Sequence, residues 1–170
     1  KQKNKLFKRE LENFDMPEVY NAVNRMQSTG FRVNKFVLDV MKHAWDSGIA
    51  MGGMPPIKNM EIPNKPHDID TNEAARKEWK KQAVICHTEN SRMFSKRLLY
   101  AKILWEADKF KDYDNIYFPL QLDFRGRAYC VPAFLNYQGI SGAKALLDFS
   151  HGKEITEYNS GGFWLAILGA

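Results

Sequence analysis

Apolar side chains recur at helical spacing along the first two thirds of the chain. Residues 1–14 carry a charged amphipathic pattern that predicts a helix. The run Asp15-Met16-Pro17-Glu18 places a capping acid before Pro and Glu, and it predicts a second helix that ends near Gly30. Asn34 can cap the following helix, which stops at Gly48. The apolar face of that helix comprises Val37, Leu38, Met41 and Trp45.

Residues 48–66 are rich in Gly and Pro, which predicts a linker or extended loop. Helical spacing resumes at about residue 71, with Asp70 or Thr71 as the expected cap and Glu73 in the first turn. Two apolar stripes follow. The polar stretch between them favours a helical hairpin that turns near residues 88–90, and a single helix of about 60 Å is the alternative. The first stripe comprises Trp79, Ala83 and Cys86, and the second comprises Phe94, Leu98, Ala101 and Trp105.

The pattern changes to period 2 over residues 116–131, which predicts a strand. A loop over 133–140 comes next, and then a helix that Ser141 caps and that runs to about Ser150. Another apolar helix begins at residue 161. Taken together, these elements predict an α+β fold that is mainly α-helical, in which helices precede a short strand and helix.

The net charge of +5 is by itself a weak indication of an anionic partner, but its distribution along the chain is more informative. Residues 1–70 carry a net charge of +2, residues 71–111 carry +5, and residues 112–170 carry −2. The excess therefore lies on the second helical segment, as a basic stripe would. Cys86 and Cys130 make no disulfide framework, which favours a reducing compartment, and no apolar run reaches the length of a membrane span.

The predicted strand carries the most informative set of side chains. Even positions from 120 to 130 are apolar or small and predict a core face. The opposite face presents Asp123, Arg125, Arg127 and Tyr129, each about 6.6 Å from the next. Guanidinium groups at this spacing can each hold a phosphate, with Asp123 orienting Arg125 and Tyr129 stacking on a sugar or base. A solvated strand face with an Asp–Arg ion pair is the equally weighted alternative.

Basic residues on the helical segment form a second candidate surface. Lys96 and Arg97 have few acidic neighbours, which suits a phosphate backbone, although a solvated helix face would look the same. Lys153 follows a Gly turn and by itself reads as a surface lysine. Cys86-His87 has no partner at metal-ligand spacing, and the chain contains neither a GxxxxGK[ST] phosphate loop nor a GxGxxG motif.

The run Asp123-Phe124-Arg125-Gly126-Arg127-Ala128-Tyr129 resembles the Asp-aromatic-Arg-Gly-Arg-x-Tyr motif of bacteriophage-type single-subunit DNA-directed RNA polymerases. Three further segments resemble that family in the same order, and their details favour its phage branch over the mitochondrial one. They are residues 27–34, residues 66–72, and the run that begins Asn136-Tyr137-Gln138-Gly139. The resemblance implies four parts: the end of an N-terminal helical domain (1–50), a linker (51–70), thumb helices (71–111) and the start of the palm (112–170).

In that family the Arg-Gly-Arg segment lies against the RNA–DNA hybrid and the template. The resemblance therefore implies nucleic-acid-binding roles for Asp123, Arg125, Arg127, Tyr129, Lys96, Arg97 and Lys153. It also implies a DNA template, NTPs and Mg²⁺ as partners of the full-length enzyme, a monomer, and the cytoplasm of an infected bacterium. The family's metal-binding aspartates lie beyond residue 170, so the chain is expected to be a fragment that is inactive alone.

The sequence is also compatible with two other functions. A non-enzymatic basic module would bind nucleic acid tightly and with strong salt sensitivity as an isolated chain. A helical interaction protein would use the Asp/Arg face against an acidic protein. Neither alternative accounts for the four ordered segments.

Overall fold

The computed structural model describes residues 5–156 and 160–169, and it confirms a mainly helical α+β fold. The helices are α1 (Lys5–Glu12), α2 (Pro17–Gln27), α3 (Lys35–Asp46), α4 (Glu73–Phe110), α5 (Ser141–Ala145) and α6 (Gly161–Gly169). The strands are β1 (Phe31–Val33), β2 (Leu120–Leu122), β3 (Ala128–Cys130) and β4 (Leu147–Phe149).

The predicted capping residue is correct for α3, whereas the capping residues of α2 and α4 lie one or two positions from those predicted. Asn34 caps α3, because its Oδ1 accepts a hydrogen bond from the Val37 N–H at 3.0 Å. Gly48 follows α3 with a φ of 70°, a conformation that favours glycine. Pro17 opens α2 as predicted, but the capping position belongs to Met16, whose side chain makes no cap. Asp15 is therefore not the cap.

The predicted helical hairpin over 71–111 is wrong, since α4 is one continuous helix of 38 residues, about 57 Å long. Its cap is Asn72, whose Oδ1 accepts from the Ala75 N–H at 3.1 Å, rather than Asp70 or Thr71. One residue of the polar stretch taken for a turn, Asn90, is bonded to the linker instead. Asn90 accepts from the Met60 N–H at 2.7 Å and donates to the Met60 carbonyl at 2.9 Å.

The two predicted apolar stripes of α4 differ in burial. The first faces inward, with Ala83 and Cys86 buried and Trp79 half-buried. The second stripe is exposed, which the prediction did not anticipate. The C-terminal half of α4 instead buries Tyr100, Ile103, Leu104 and Ala107. These lie on another side of the helix, because α3 and the loop after β3 pack there.

The remaining chain folds back onto the helices through short antiparallel pairs. β1 pairs with β4, with Phe31 opposite Phe149 and Val33 opposite Leu147. A helix does begin at Ser141, but its predicted end near Ser150 is wrong: α5 ends at Ala145 because the next residues pair with β1. Its capping position is Ile140, which makes no side-chain cap, rather than Ser141. The single strand predicted over 116–131 is also wrong, since β2 and β3 form a hairpin. The apolar helix predicted from residue 161 is confirmed as α6.

One hydrophobic core holds these elements together. It brings α3, α4, α5 and the loop after β3 into contact, and its most deeply buried large side chains are Leu38, Ile103 and Leu146. Met54 of the linker is also buried in this core. None of the helices in the described ranges is long and apolar enough to cross a membrane.

Candidate nucleic-acid interface

The segment that carries the Arg-Gly-Arg motif is the tip of the β2–β3 hairpin rather than an extended strand. Leu120 lies opposite Cys130, and Leu122 lies opposite Ala128. Residues 123–127 form the connection, in which Gly126 has a φ of 77°. Only Gly adopts that conformation without strain, so the motif's glycine is a turn residue. The even spacing of about 6.6 Å expected along the strand face therefore does not apply across the tip.

Asp123 organises the tip. Its Oδ1 accepts from the backbone N–H of Arg125 at 2.8 Å and from that of Arg127 at 3.0 Å. Its Oδ2 accepts from Nε and Nη2 of Arg125 at 2.9 and 2.8 Å. The Arg127 N–H is the largest of several hydrogen bonds that hold the pKa of Asp123 below its usual value. One carboxylate thus fixes both the turn and the direction of the Arg125 side chain.

The other side chains of the tip are exposed, although the Tyr129 hydroxyl also contributes a hydrogen bond that lowers the pKa of Asp123. Phe124 is 92% exposed and lies beneath the Arg125 guanidinium, 5.4 Å from it. Arg127 is exposed, and its side chain makes no hydrogen bond or ion pair with any described residue. Tyr129 is partly exposed on β3, opposite Gln121. The tip therefore presents a full guanidinium fork, a second fork that is partly used, and two aromatic rings.

Two glutamine side chains hold the outer edges of this hairpin. Gln138 accepts from the Cys130 N–H at 2.8 Å and donates to the Ala128 carbonyl at 2.9 Å, so its amide replaces a neighbouring strand along β3. Gln27, at the end of α2, accepts from the Leu120 N–H at 2.7 Å. These bonds satisfy backbone groups at both edges, and they tie the hairpin to α2 and to the loop after β3.

Three hydrogen bonds hold the loop after β3 in its conformation. Asn136 is buried, donates to the Pro132 carbonyl at 2.8 Å and accepts from the Gln138 N–H at 2.9 Å. Glu106 of α4 accepts from the Leu135 N–H at 2.9 Å. A side chain at Gly139 would lie 3.2 Å from the Asn136 carbonyl oxygen, so the loop passes closest there. The loop thereby places Gln138 against β3.

An aromatic cluster supports the base of the hairpin. The Phe31 ring stacks on Tyr137 with centroids 5.1 Å apart, and it meets Phe118 edge-on at 5.4 Å. The Phe149 ring is tilted against the Phe31 ring, with centroids 5.0 Å apart. Burial, together with a hydrogen bond to Cys130, raises the pKa of the Tyr137 hydroxyl. The cluster joins the β1–β4 pair to the residues that lead into β2.

The remaining predicted site residues lie away from the tip. Lys96 and Arg97 are half-buried on α4, and Lys153 is exposed beyond β4. Arg97 is committed to the linker, since its Nε donates to the Pro56 carbonyl and its Nη1 to Asn59 Oδ1, both at 2.9 Å. Within the described ranges, no hydrogen bond or ion pair joins these residues to the hairpin tip.

The residues that support the hairpin could not be predicted from the sequence pattern. Gln27 and Gln138 stood in the quoted motifs, but neither carries a charge or belongs to a catalytic pattern. Their spacing in sequence gives no sign that they meet the same hairpin, because each contact depends on tertiary structure. The signal that could have located the turn was the Asp123 to Gly126 spacing, which is typical of a hairpin connection.

Metal-binding side chains do not cluster in the described part of the chain. Within residues 5–156 and 160–169, no three His, Cys, Asp or Glu side chains lie together. No catalytic step through a metal is therefore assigned to these residues.

Comparison with known proteins identifies the class to which this hairpin and its supports belong. The DNA-directed RNA polymerase of Enterobacteria phage T3 is 43% identical over 161 residues, covering 94% of this chain and 18% of that protein. T7 RNA polymerase of Escherichia phage T7 is 38% identical over 165 residues, again covering 94% of this chain and 18% of the relative. A mitochondrial DNA-directed RNA polymerase of Neurospora crassa is 31% identical over 154 residues, covering 90% of this chain and 10% of that protein.

No family model matches the chain. The direct similarities are nevertheless extensive, and they are stronger to the phage polymerases than to the mitochondrial one. This chain belongs to the bacteriophage-type single-subunit DNA-directed RNA polymerase family, as the sequence motifs predicted. It spans about 18% of the length of the phage relatives.

Proposed function

We propose that this chain is the part of a DNA-directed RNA polymerase that grips the template and the RNA–DNA hybrid while RNA is made from NTPs. The observation that carries the proposal is the locked hairpin tip, in which Asp123 fixes the turn and leaves the Arg127 guanidinium exposed. The high identity to phage polymerases along nearly the whole chain supports the same function.

The electrostatics of the tip favour Arg127 as the principal phosphate contact. The charge of Arg125 is largely offset by the ion pair with Asp123 at 2.8 Å, whereas Arg127 has no such partner in the described ranges. A guanidinium fork binds a phosphate through two parallel hydrogen bonds. Arg125, stacked over Phe124, supplies a flat surface and its remaining donors. Tyr129 offers a ring and a hydroxyl to a sugar or base.

The other proposed contacts divide into two groups. Neither Lys96 nor Lys153 forms an ion pair with a residue in the described ranges, and both are proposed to contact the nucleic-acid backbone, from the helical side and from the segment after β4. Arg97 is proposed to act indirectly, because its guanidinium fastens the linker to α4. The subdivision into an N-terminal domain end (1–50), linker (51–70), thumb (71–111) and palm start (112–170) is part of the same proposal.

The chemistry of the whole enzyme is proposed from the family alone. It would be templated nucleotidyl transfer with Mg²⁺, carried out by a monomer in the cytoplasm of an infected bacterium. The residues described here would orient nucleic acid and would hold no metal. Their contribution would be to keep the hybrid in register, which is a binding and positioning role.

Transcription by the complete gene product carrying this chain tests the proposal. Arg127→Ala is expected to shorten transcripts and release hybrid early, by about tenfold in retention, because one bidentate phosphate contact is lost. Arg127→Lys should recover part of the loss, and Arg125→Ala should have a smaller effect. Arg25→Ala, an exposed arginine of α2, is the matched control. Transcription unchanged by Arg127→Ala would contradict the proposal.

A further inference from the structure

The exposed face of α4 that carries Phe94, Leu98, Ala101 and Trp105 lies outside the hydrophobic core formed by the described residues. The three large side chains are 58%, 53% and 60% exposed, respectively. The core contacts of this part of α4 come from Tyr100, Ile103, Leu104 and Ala107, on other sides of the helix. Large apolar side chains aligned on one face and left in water typically mark an interaction surface. We call these four residues the α4 seam.

The spacing of the seam indicates what covers it. Its members follow one another at intervals of four, three and four residues, which is the repeat of the inner positions of a coiled coil. The seam extends about 16 Å along the helix axis. A second helix laid along α4 would bury Phe94, Leu98 and Trp105 together, with small Ala101 allowing close approach. Phe94 and Trp105 are rings on which a nucleic-acid base could stack, but they lie at opposite ends of the seam. Leu98 and Ala101 between them offer no such ring, so a helix fits the whole seam better than a single strand.

The charges beside the seam indicate the chemistry of that helix. Lys102 and Lys109 are exposed, seven residues apart, and their ammonium groups lie 5.8 and 5.5 Å from the centre of the Trp105 ring. The carboxylates nearby are already used. Glu106 accepts from the Leu135 N–H, and Asp108 pairs with Lys42 and Lys111. The two lysines therefore lack an acidic partner within the described ranges, and they line one side of the seam.

We infer that the α4 seam is the docking site for an acidic amphipathic helix of a partner protein. Apolar side chains of that helix pack on Phe94, Leu98 and Trp105, and acidic side chains one heptad apart pair with Lys102 and Lys109. On the other side of the seam, Leu104 is buried in this protein's own core and Arg97 is bonded to the linker, so the partner presents its acidic residues on one side only. This surface is separate from the hairpin tip, and it does not depend on the proposed polymerase role.

Binding of a defined probe to the 170-residue chain tests the inference. The probe is a fluorescent synthetic peptide of about three heptads, with Leu at the inner positions and Glu at the flanking ones. Fluorescence anisotropy should detect binding that Trp105→Glu weakens by about tenfold or more. Ile85→Glu is the matched control, because Ile85 is 52% exposed on another side of α4. Retained binding in Trp105→Glu would overturn the inference.

Charge reversal distinguishes this docking mode from nonspecific hydrophobic binding. The double variant Lys102→Glu/Lys109→Glu should lose the Glu peptide and instead bind a matched peptide with Lys at the flanking positions. Equal binding of both peptides by the unsubstituted chain would contradict the acidic assignment. So would an unstructured single-stranded RNA that displaces the peptide, or a dimer of the chain that Trp105→Glu abolishes in sedimentation. All of the substituted side chains, Ile85 included, are exposed, so circular dichroism should show an unchanged helix content.

Discussion

The Gln138 side chain is expected to stabilise the β2–β3 hairpin, and its removal tests this directly. The Gln138→Ala substitution removes two hydrogen bonds to the outer edge of β3, of 2.8 and 2.9 Å. A typical hydrogen bond contributes about 0.5–1.5 kcal/mol net, and exposed groups recover part of that from water. We therefore expect a loss of about 1.4 kcal/mol at the hairpin. An isolated two-stranded hairpin is only marginally stable, so this loss should open β2–β3 locally and leave the helical core folded.

Amide hydrogen exchange followed by NMR measures this directly. The Cys130 N–H is bonded to Gln138, and its exchange should accelerate about tenfold in Gln138→Ala, since 1.4 kcal/mol is a factor of ten. The Ile103 amide in α4 is the internal control and should not change. Gln138→Glu keeps the acceptor but sets a carboxylate against the Ala128 carbonyl. It should therefore resemble Gln138→Ala at neutral pH and recover as the new carboxyl is protonated. Unchanged exchange of the Cys130 amide in Gln138→Ala would show that the Gln138 side chain does not hold the outer edge of β3.

Three further predictions concern the tip and the core. The pKa of Asp123 is lower in the folded chain than in the unfolded one, so the stabilising effect of its carboxylate is present above the unfolded value of 3.8 and is lost as pH falls through the folded value. The NMR chemical shifts of the Arg125 and Arg127 amides should show that acid transition, and Asp123→Asn should abolish it. Gly142→Ala would place a Cβ 2.8 Å from Cε1 of Tyr100 and should cost about 1–3 kcal/mol in urea unfolding, whereas Gly152→Ala, with nothing within 4 Å, should be neutral. Ile103→Ala should lower the free energy of unfolding by about 2–5 kcal/mol and Ile103→Val by about 0.5–1.5, and equal small effects would mean that the core is not centred there.

Local signals in the sequence were sufficient for part of the fold. The Asn34 cap, the stop at Gly48 and the inward stripe through Ala83 depend on residues close in sequence, and each was predicted. The predicted hairpin in α4 failed because the polar residue Asn90 binds the linker rather than a turn. The hydrophobic pattern could not foresee that contact, since it joins residues 30 positions apart.

The site was predictable in composition but not in shape. Asp123, Arg125, Arg127 and Tyr129 were identified from alternation, and the alternation suggested one long strand. The strand is interrupted because Asp123 accepts two backbone N–H groups and Gly126 adopts a positive φ, which together close a turn. The short strands β1 and β4 were missed because each is stable only through the other, 116 residues away.

Arg127 at the hairpin tip is proposed to bind nucleic acid through a phosphate. The most direct measurement is the salt dependence of RNA–DNA hybrid binding by this chain, compared among the unsubstituted chain, Arg127→Ala and Arg25→Ala. Removing one phosphate contact reduces the steepness of log K against log salt by about 1, so Arg127→Ala should show that smaller slope together with weaker binding. Arg25→Ala should match the unsubstituted chain. An identical slope and affinity in Arg127→Ala would contradict the claim.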